Sequence, residues 1–192
     1  VQIKSLFKRC RIIGKRFQLV HIYLLNEIIE VSTFRSNSYD HLKKRDDHGR
    51  ILSDNVFGNQ DEDATRRDLT INALYYDPIK EKIIDYHKGF LDIKHRQLNI
   101  IGNPTIRFAE DPIRMIRAVR FACKLNFEIS ESVRSAIYSQ AHLIQNVPKA
   151  RLTEDIIKLL LSGYSESSFK LLMKFGLINY IFPSNIFKSV IF

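Results

Sequence analysis

A carboxylate three residues ahead of a guanidinium can read the edge of a nucleobase, and Glu110-Asp111-Pro112-Ile113-Arg114 carries that spacing at the start of an amphipathic run. Asp111 would accept from an exocyclic amine such as the 6-amino group of adenine, and Arg114 would donate to the ring nitrogen beside it. Arg117 follows one turn later. The plainer alternative is an i,i+3 surface ion pair, worth about 0.3 kcal/mol. Arg66-Arg67-Asp68-Leu69-Thr70-Ile71-Asn72-Ala73-Leu74 is a second candidate. Read as helix, it sets Asp68, Asn72 and Tyr75 on one face, with acceptor and amide groups suited to ribose hydroxyls. Arg66 and Arg67 would hold phosphates, against the simpler reading of exposed ion pairs. Glu30 is the third, a carboxylate inside the apolar run Ile28 to Phe34. Buried there without a partner it would cost several kcal/mol, so it implies either an arginine (Arg35 or Arg16) or a metal ion.

These groups need elements to position them. Val1 to Cys10 reads as the end of a helix. Phe17 to Leu24 and Ile28 to Phe34 alternate with period two around Asn26-Glu27, which predicts a β-hairpin buried on both faces. Ser36 to Asn59 is polar and reads as a loop. Asp61 to Tyr76 reads as a helix with acids in its first turn, and Ile83-Ile84 and Leu98 to Ile101 as short strands around the turn Asp85 to Gly89. Gly102-Asn103-Pro104 is the clearest break. Beyond it the periodicity predicts helices over Glu110–Leu125, Ser130–Gln140, Ala150–Leu161 and Ser165–Phe175, with Gly163 and Gly176 at helix stops. Met115, Ile116, Val119, Ala122 and Cys123 form the packing stripe of the first of these. The expected fold class is α+β: a β-containing domain over residues 1–102, then an all-helical domain over residues 103–192.

Composition narrows the partners. The 192 residues are 45% hydrophobic and 27% charged with a net charge of +9, which suits a polyanion such as nucleic acid. Lys4, Lys8, Arg9, Arg11, Lys15 and Arg16 crowd the start, and Arg107, Arg114, Arg117 and Arg120 cluster later. A base-composition bias toward lysine codons is the alternative source of the charge. Cys10 and Cys123 stand far apart, which argues against a disulfide framework or a zinc site. No apolar run approaches the ~18 residues of a membrane helix. The chain opens at Val1 within an amphipathic pattern and shows no leader, so it reads as an internal piece of a cytoplasmic protein.

In this order the motifs resemble the class II nucleotidyltransferase family, which includes bacterial poly(A) polymerases and CCA-adding enzymes. Glu62 to Leu74 is similar to its RRD-x-T-x-NA motif. Asp85 to Gly89 with Asp92 is similar to its D…GG…D motif, with His87 and Phe90 as departures. Glu110-Asp111-x-x-Arg114 is similar to its EDxxR motif. Leu52 to Gly58, Phe34-Arg35, Ala150-Arg151-Leu152 and Gly163-Tyr164 resemble the poly(A) polymerase type. The resemblance implies an N-terminally incomplete polymerase-β-like head with a mixed β-sheet and helices, then a helical neck and body that binds RNA. It implies template-independent transfer of AMP from ATP to RNA 3′ ends with release of pyrophosphate, promoting mRNA turnover. Two magnesium ions (Mg²⁺) would orient the 3′-hydroxyl and the α-phosphate. Asp111 and Arg114 would read the base, Arg66, Arg67, Asp68 and Asn72 would contact sugar and phosphates, and Arg117 would support the pocket. Glu30 matches a strand carboxylate at the metal site. The alternatives are a CCA-adding tRNA nucleotidyltransferase and a non-catalytic RNA- or nucleotide-binding remnant. The family's Gly-Gly turn and Asp-x-Asp pair have no counterpart here, since Val1 to Lys15 holds no acid. The expectation is a chain inactive alone that binds nucleotide weakly.

Overall fold

The computed structural model describes residues 2–14, 18–36, 44–45, 51–53 and 57–182. Contacts divide the chain into two units, Val1–Arg66 and Arg67–Phe192.

In the first unit a short α1 (Gln2–Leu6) leads into an antiparallel sheet in the order β1 (Cys10–Ile13), β2 (Leu19–Leu24), β3 (Glu27–Val31). The expected hairpin is β2–β3, with Ile22 opposite Ile29 and His21 opposite Glu30. Its expected burial on both faces is not observed. Ile22 is buried, whereas Ile28 and Ile29 are 54% and 44% exposed. The β-branched run therefore reflects strand propensity and cross-strand pairing rather than burial. The stretch expected to be loop contains a paired β4 (Lys44–Arg45) and β5 (Ile51–Ser53). Arg16 and the motif residues Asp54 to Val56 lie outside the described residues.

Helix α2 (Gln60–Arg66) starts with a reciprocal cap. Glu62 N–H donates to Asn59 Oδ1 at 2.8 Å, and Asn59 N–H donates to Glu62 Oε2 at 2.9 Å. The helix expected over Asp61–Tyr76 stops at Arg66. A 3-10 turn (Thr70–Asn72) in the second unit is followed by a hairpin of β6 (Leu74–Asp77) and β7 (Lys82–Asp85), with Tyr75 opposite Ile84. β-Branched and aromatic residues ahead of Asp77-Pro78 favour strand and turn over continued helix.

The rest of the second unit is α3 (Gly89–His95), β8 (Gln97–Leu98), α4 (Pro104–Glu110), α5 (Ile113–Leu125), β9 (Glu128–Ile129), α6 (Glu131–Gln140), a 3-10 stretch (Ala141–Asn146), α7 (Lys149–Leu160), α8 (Ser165–Lys174) and α9 (Ile178–Ile181). β8 and β9 pair in parallel. The axis of the core is α5: Ile113, Met115, Ile116 and Val119 are fully buried against Phe108, Val133, Ile137, Leu159 and Leu172. Gly163 and Gly176 stop α7 and α8 at φ +82° and +69°, where a side chain would strain the backbone.

The helix expected over Glu110–Leu125 is broken. Asn103 caps α4 by accepting from Thr105 N–H and Ile106 N–H, and α4 ends at Glu110. Asp111 is extended (φ −150°, ψ 92°), and α5 begins after Pro112. A residue before proline is pushed out of the α region by the pyrrolidine ring, which accounts for the break. No helix among the described residues is long and apolar enough to cross a membrane.

Candidate functional site

The break at Asp111-Pro112 decides where the motif side chains go. Arg114, in the first turn of α5, turns back rather than pairing with Asp111. Its Nε donates to Asp68 Oδ1 at 2.7 Å, and its Nη1 donates to Glu110 Oε2 at 2.9 Å and to the Arg107 carbonyl at 2.7 Å. Nη2 has no protein acceptor among the described residues, and the side chain is 11% exposed. Arg117 lies one turn on and takes the other oxygen of Asp68, Nη1 to Oδ2 at 2.7 Å. Its Nε and Nη2 meet the two carboxylate oxygens of Asp155 on α7 at 3.3 and 3.5 Å. Arg107 completes the cluster, donating to Glu110 at 3.0 Å and to the Arg67 carbonyl at 2.9 Å.

Asp68 is thus clamped between two guanidiniums, each of which has a second carboxylate. Burial works against its charge, but the hydrogen bonds and charges of Arg117 and Arg114 outweigh it and hold the carboxyl below its ordinary value. For Arg114 and Arg117 the same balance runs the other way. Burial opposes the charge, hydrogen bonds to Asp68 overcome it, and both stay firmly protonated. Asp111 is held separately: Arg151 of α7 donates to its Oδ2 at 2.6 Å, while Oδ1 is buried and accepts no hydrogen bond from the described residues.

The expected shared face of Asp68, Asn72 and Tyr75 does not form, because Asp68 lies in the bend after α2, Asn72 ends the 3-10 turn and Tyr75 is in β6. Arg67 donates to the Asn72 carbonyl at 3.1 Å and its guanidinium lies 5.4 Å from the Tyr75 ring centroid. Asn72 is exposed at the end of the 3-10 turn. Arg66 closes α2 in the first unit. The motif around Asp85 is architectural. Its carboxylate accepts from His87 and Gly89 N–H at 3.1 and 3.0 Å and from Phe90 N–H at 3.0 Å, tying down the start of α3. Burial raises its pKa, and the backbone donors from Phe90, Gly89, His87 and Lys88 more than compensate. Gly89 lies so close to Thr70 that a Cβ would fall 2.3 Å from the Thr70 carbonyl oxygen. Asp92 then joins the same turn to the strand region, accepting from Thr70 Oγ1 at 2.5 Å and Asn99 Nδ2 at 2.8 Å.

Glu30 departs from expectation in burial and partner. Its side chain is 66% exposed and meets His21 Nε2 at 3.1 Å across the β2–β3 hairpin, not an arginine. Its side chain reaches water, which removes the desolvation argument for a metal. Among the described residues no group of three His, Cys, Asp or Glu side chains could hold an ion, and Mg²⁺ needs more oxygen than one exposed carboxylate offers. The described residues therefore do not fit a two-metal site.

Spacing missed Arg107, Arg151 and Asp155. Asp155 carried a signal: it falls on the apolar face of α7 between Leu152, Ile156 and Leu159, and is 2% exposed. An acid on an apolar stripe needs a partner. Arg107 stood out only as part of the later basic cluster and Arg151 only within Ala150-Arg151-Leu152, and neither pointed to its partner.

Residues 1–99 match the poly A polymerase head domain, and residues 126–185 match the probable RNA and SrmB-binding site of polymerase A. Poly(A) polymerase I of Haemophilus influenzae is 42% identical over 188 residues, covering 95% of this chain and 42% of that protein. The Escherichia coli enzyme of that name is 43% identical, with 95% and 40% covered. The CCA-adding enzyme of Lactobacillus helveticus is more distant, 33% identical over 90% of this chain and 42% of its own length. The chain thus spans about two fifths of the curated relatives it matches. The crystal structure of the Bacillus stearothermophilus CCA-adding enzyme in complex with CTP superposes with a TM-score of 0.76 at 28% identity, covering 93% of this chain and 41% of that one. A tRNA nucleotidyltransferase complexed with a primer tRNA and an incoming ATP analogue gives 0.76 at 25% identity, covering 94% and 50%. The α+β fold and the head-domain match over more than half of its residues agree: the chain belongs to the poly A polymerase head domain family of nucleotidyltransferases.

Proposed function

We propose that this chain is the nucleotide-selecting portion of a poly(A) polymerase, which adds AMP from ATP to RNA 3′ ends and releases pyrophosphate. The observation that carries the reading is the fixing of Arg114. Asp68, Glu110 and the Arg107 carbonyl hold its guanidinium and leave Nη2 as its uncommitted donor. A rigid donor beside the acceptor Asp111 suits adenine, whose ring nitrogen accepts and whose 6-amino group donates. Cytosine also offers an amine beside a ring acceptor, so the discrimination rests on where the fixed donor stands. Arg117 acts through Asp68. Arg67 and Asn72 are assigned to the sugar and phosphates, and Arg66 to phosphate, on the family resemblance; Glu30, exposed and paired with His21, does not fit the metal role that the resemblance implied. The functional division we infer is a head over residues 1–102 and an RNA-binding neck and body over residues 103–192.

Higher identity to poly(A) polymerase I than to CCA-adding enzymes favours ATP as the one nucleotide used. The test is competition between ATP and CTP for the chain, followed by isothermal titration. ATP should bind more tightly, and Arg114→Ala should abolish the preference at a temperature where circular dichroism shows the variant folded, although its melting midpoint falls because Asp68 and Glu110 lose a partner. Equal affinity of the unaltered chain for both nucleotides would remove the proposal.

A further inference from the structure

A cavity of about 500 Å³ opens away from the Asp68–Arg114 network, between the end of α5 and one face of α8. Two chain reversals make it. Asn126 ends α5 in the left-handed region (φ 53°), sending Phe127 toward β9, and Gly163 (φ +82°) reverses the chain into α8. Tyr164, Ser167, Lys170 and Lys174 recur at helical spacing, so one face of α8 presents them together. The lining contains no acidic residue. Tyr164 is 47% exposed. Lys170 is engaged by Glu166 at 2.7 Å in an i,i+4 pair with both side chains in water, a contact that exchanges readily. Lys174 makes no ion pair among the described residues.

An apolar slot with aromatic surface, polar groups at its edge and ammonium groups at its rim matches the recognition of single-stranded nucleic acid. There bases stack on aromatic rings and the backbone follows the positive charge. We propose that this cavity seats one unstacked nucleotide of a single-stranded RNA, its base against Tyr164 and Phe127 and its flanking phosphates at Lys170 and Lys174. The volume lies within the ~300–1,000 Å³ of small-molecule sites and admits a nucleotide. RNA is favoured over a protein partner because the lining itself carries two lysines and no acid, the Glu166 contact of Lys170 being an exposed pair that exchanges, and a phosphate on each side of the base uses both lysines. The proposal rests on the reading above that the chain acts on RNA, and adds a place where the strand is gripped.

Cys123 lines the same cavity, and Cys10 is the chain's other cysteine. Cys10→Ser therefore leaves a single thiol inside the proposed site. Its alkylation rate is measured with and without a short oligoadenylate, while fluorescence anisotropy follows binding of the same RNA. At ten times the Kd, RNA should slow alkylation about tenfold. Tyr164→Ala should weaken RNA binding about tenfold, and Lys170→Gln with Lys174→Gln should lower the salt slope by about 1.4. Circular dichroism melts verify that each variant folds. RNA that binds without slowing alkylation overturns the cavity and spares the RNA reading; no RNA binding overturns both. Protection of Cys123 by a protein partner but not by RNA also overturns the proposal.

Discussion

Asp68→Asn preserves shape and removes one negative charge from between Arg114 and Arg117, each 2.7 Å from a different oxygen. The pair is well shielded: side-chain exposure is 22% for Asp68, 11% for Arg114 and 29% for Arg117. Removing one member of a fully buried ion pair costs about 3–5 kcal/mol because the survivor is stranded. Here neither arginine is stranded, since Arg117 keeps Asp155 and Arg114 keeps Glu110 and the Arg107 carbonyl. Water also reaches part of the network. The asparagine oxygen still accepts from one guanidinium, so the loss should fall to about 1.5–3 kcal/mol, the scale of one charge-assisted hydrogen bond. At about 4 °C per kcal/mol for a unit of this size, the melting midpoint should drop about 6–12 °C at neutral pH. The pH dependence gives an independent check. The folded-state pKa of Asp68 lies below the ordinary 3.8. Its contribution is therefore complete above that value and is lost as pH falls through the lower, folded value. The gap between the two proteins should be full at neutral pH and close in acid below 3.8. Thermal melts by circular dichroism across that range measure both. Midpoints within about 1 °C at neutral pH, or a gap that persists unchanged in acid, would refute the clamp.

Three further perturbations bear on the same unit. Asp155→Ala should cost about 1–3 kcal/mol, and combined with Asp68→Asn the losses should be non-additive, because both carboxylates hold Arg117; a double-mutant cycle by urea denaturation reads the coupling. Gly89→Ala would set a Cβ 2.3 Å from the Thr70 carbonyl oxygen and 2.8 Å from its carbon. Both are backbone atoms, so the denaturation midpoint should fall by the equivalent of about 1–3 kcal/mol. Asp85→Ala removes the acceptor of three N–H groups at the start of α3, costing about 1–2 kcal/mol and speeding amide exchange at His87, Gly89 and Phe90.

The back half of the fold was readable because its helices carry wide apolar stripes. α6, α7 and α8 lie within one residue of the expected spans at both ends, and all of the expected stripe on α5 is buried except the partly buried Cys123. The two misread helices each continued a periodic pattern past a local breaker. Asp77-Pro78 should have tipped Leu74 to Asp77 toward strand, and Pro112 should have ended a helix at Glu110. The short elements α3 and β9 carry too little periodicity to stand out, and the exposure of Ile28 and Ile29 depends on what covers a face, which alternation does not encode.

Around the candidate site, the sequence could nominate residues but not their partners. Asp111 and Arg114 stand at i,i+3, and spacing on an unbroken helix would pair them. The extended backbone that Pro112 imposes sends Asp111 to Arg151 instead, while Arg114 reaches Asp68, separated from it by 46 positions. That exchange bears on the base selection proposed for Arg114. A surface i,i+3 pair is mobile and would blur a hydrogen-bond pattern, whereas a guanidinium held at Nε and Nη1 by three acceptors presents its last donor in one direction. Selection between bases by such a donor depends on rigidity, because rejecting the wrong base means leaving a fixed polar group unpaired. The residues that supply this rigidity, Asp68, Glu110, Arg107 and, through Arg117, Asp155, are scattered over three segments outside α5. Spacing within one helix could nominate Arg114 but not what steadies it.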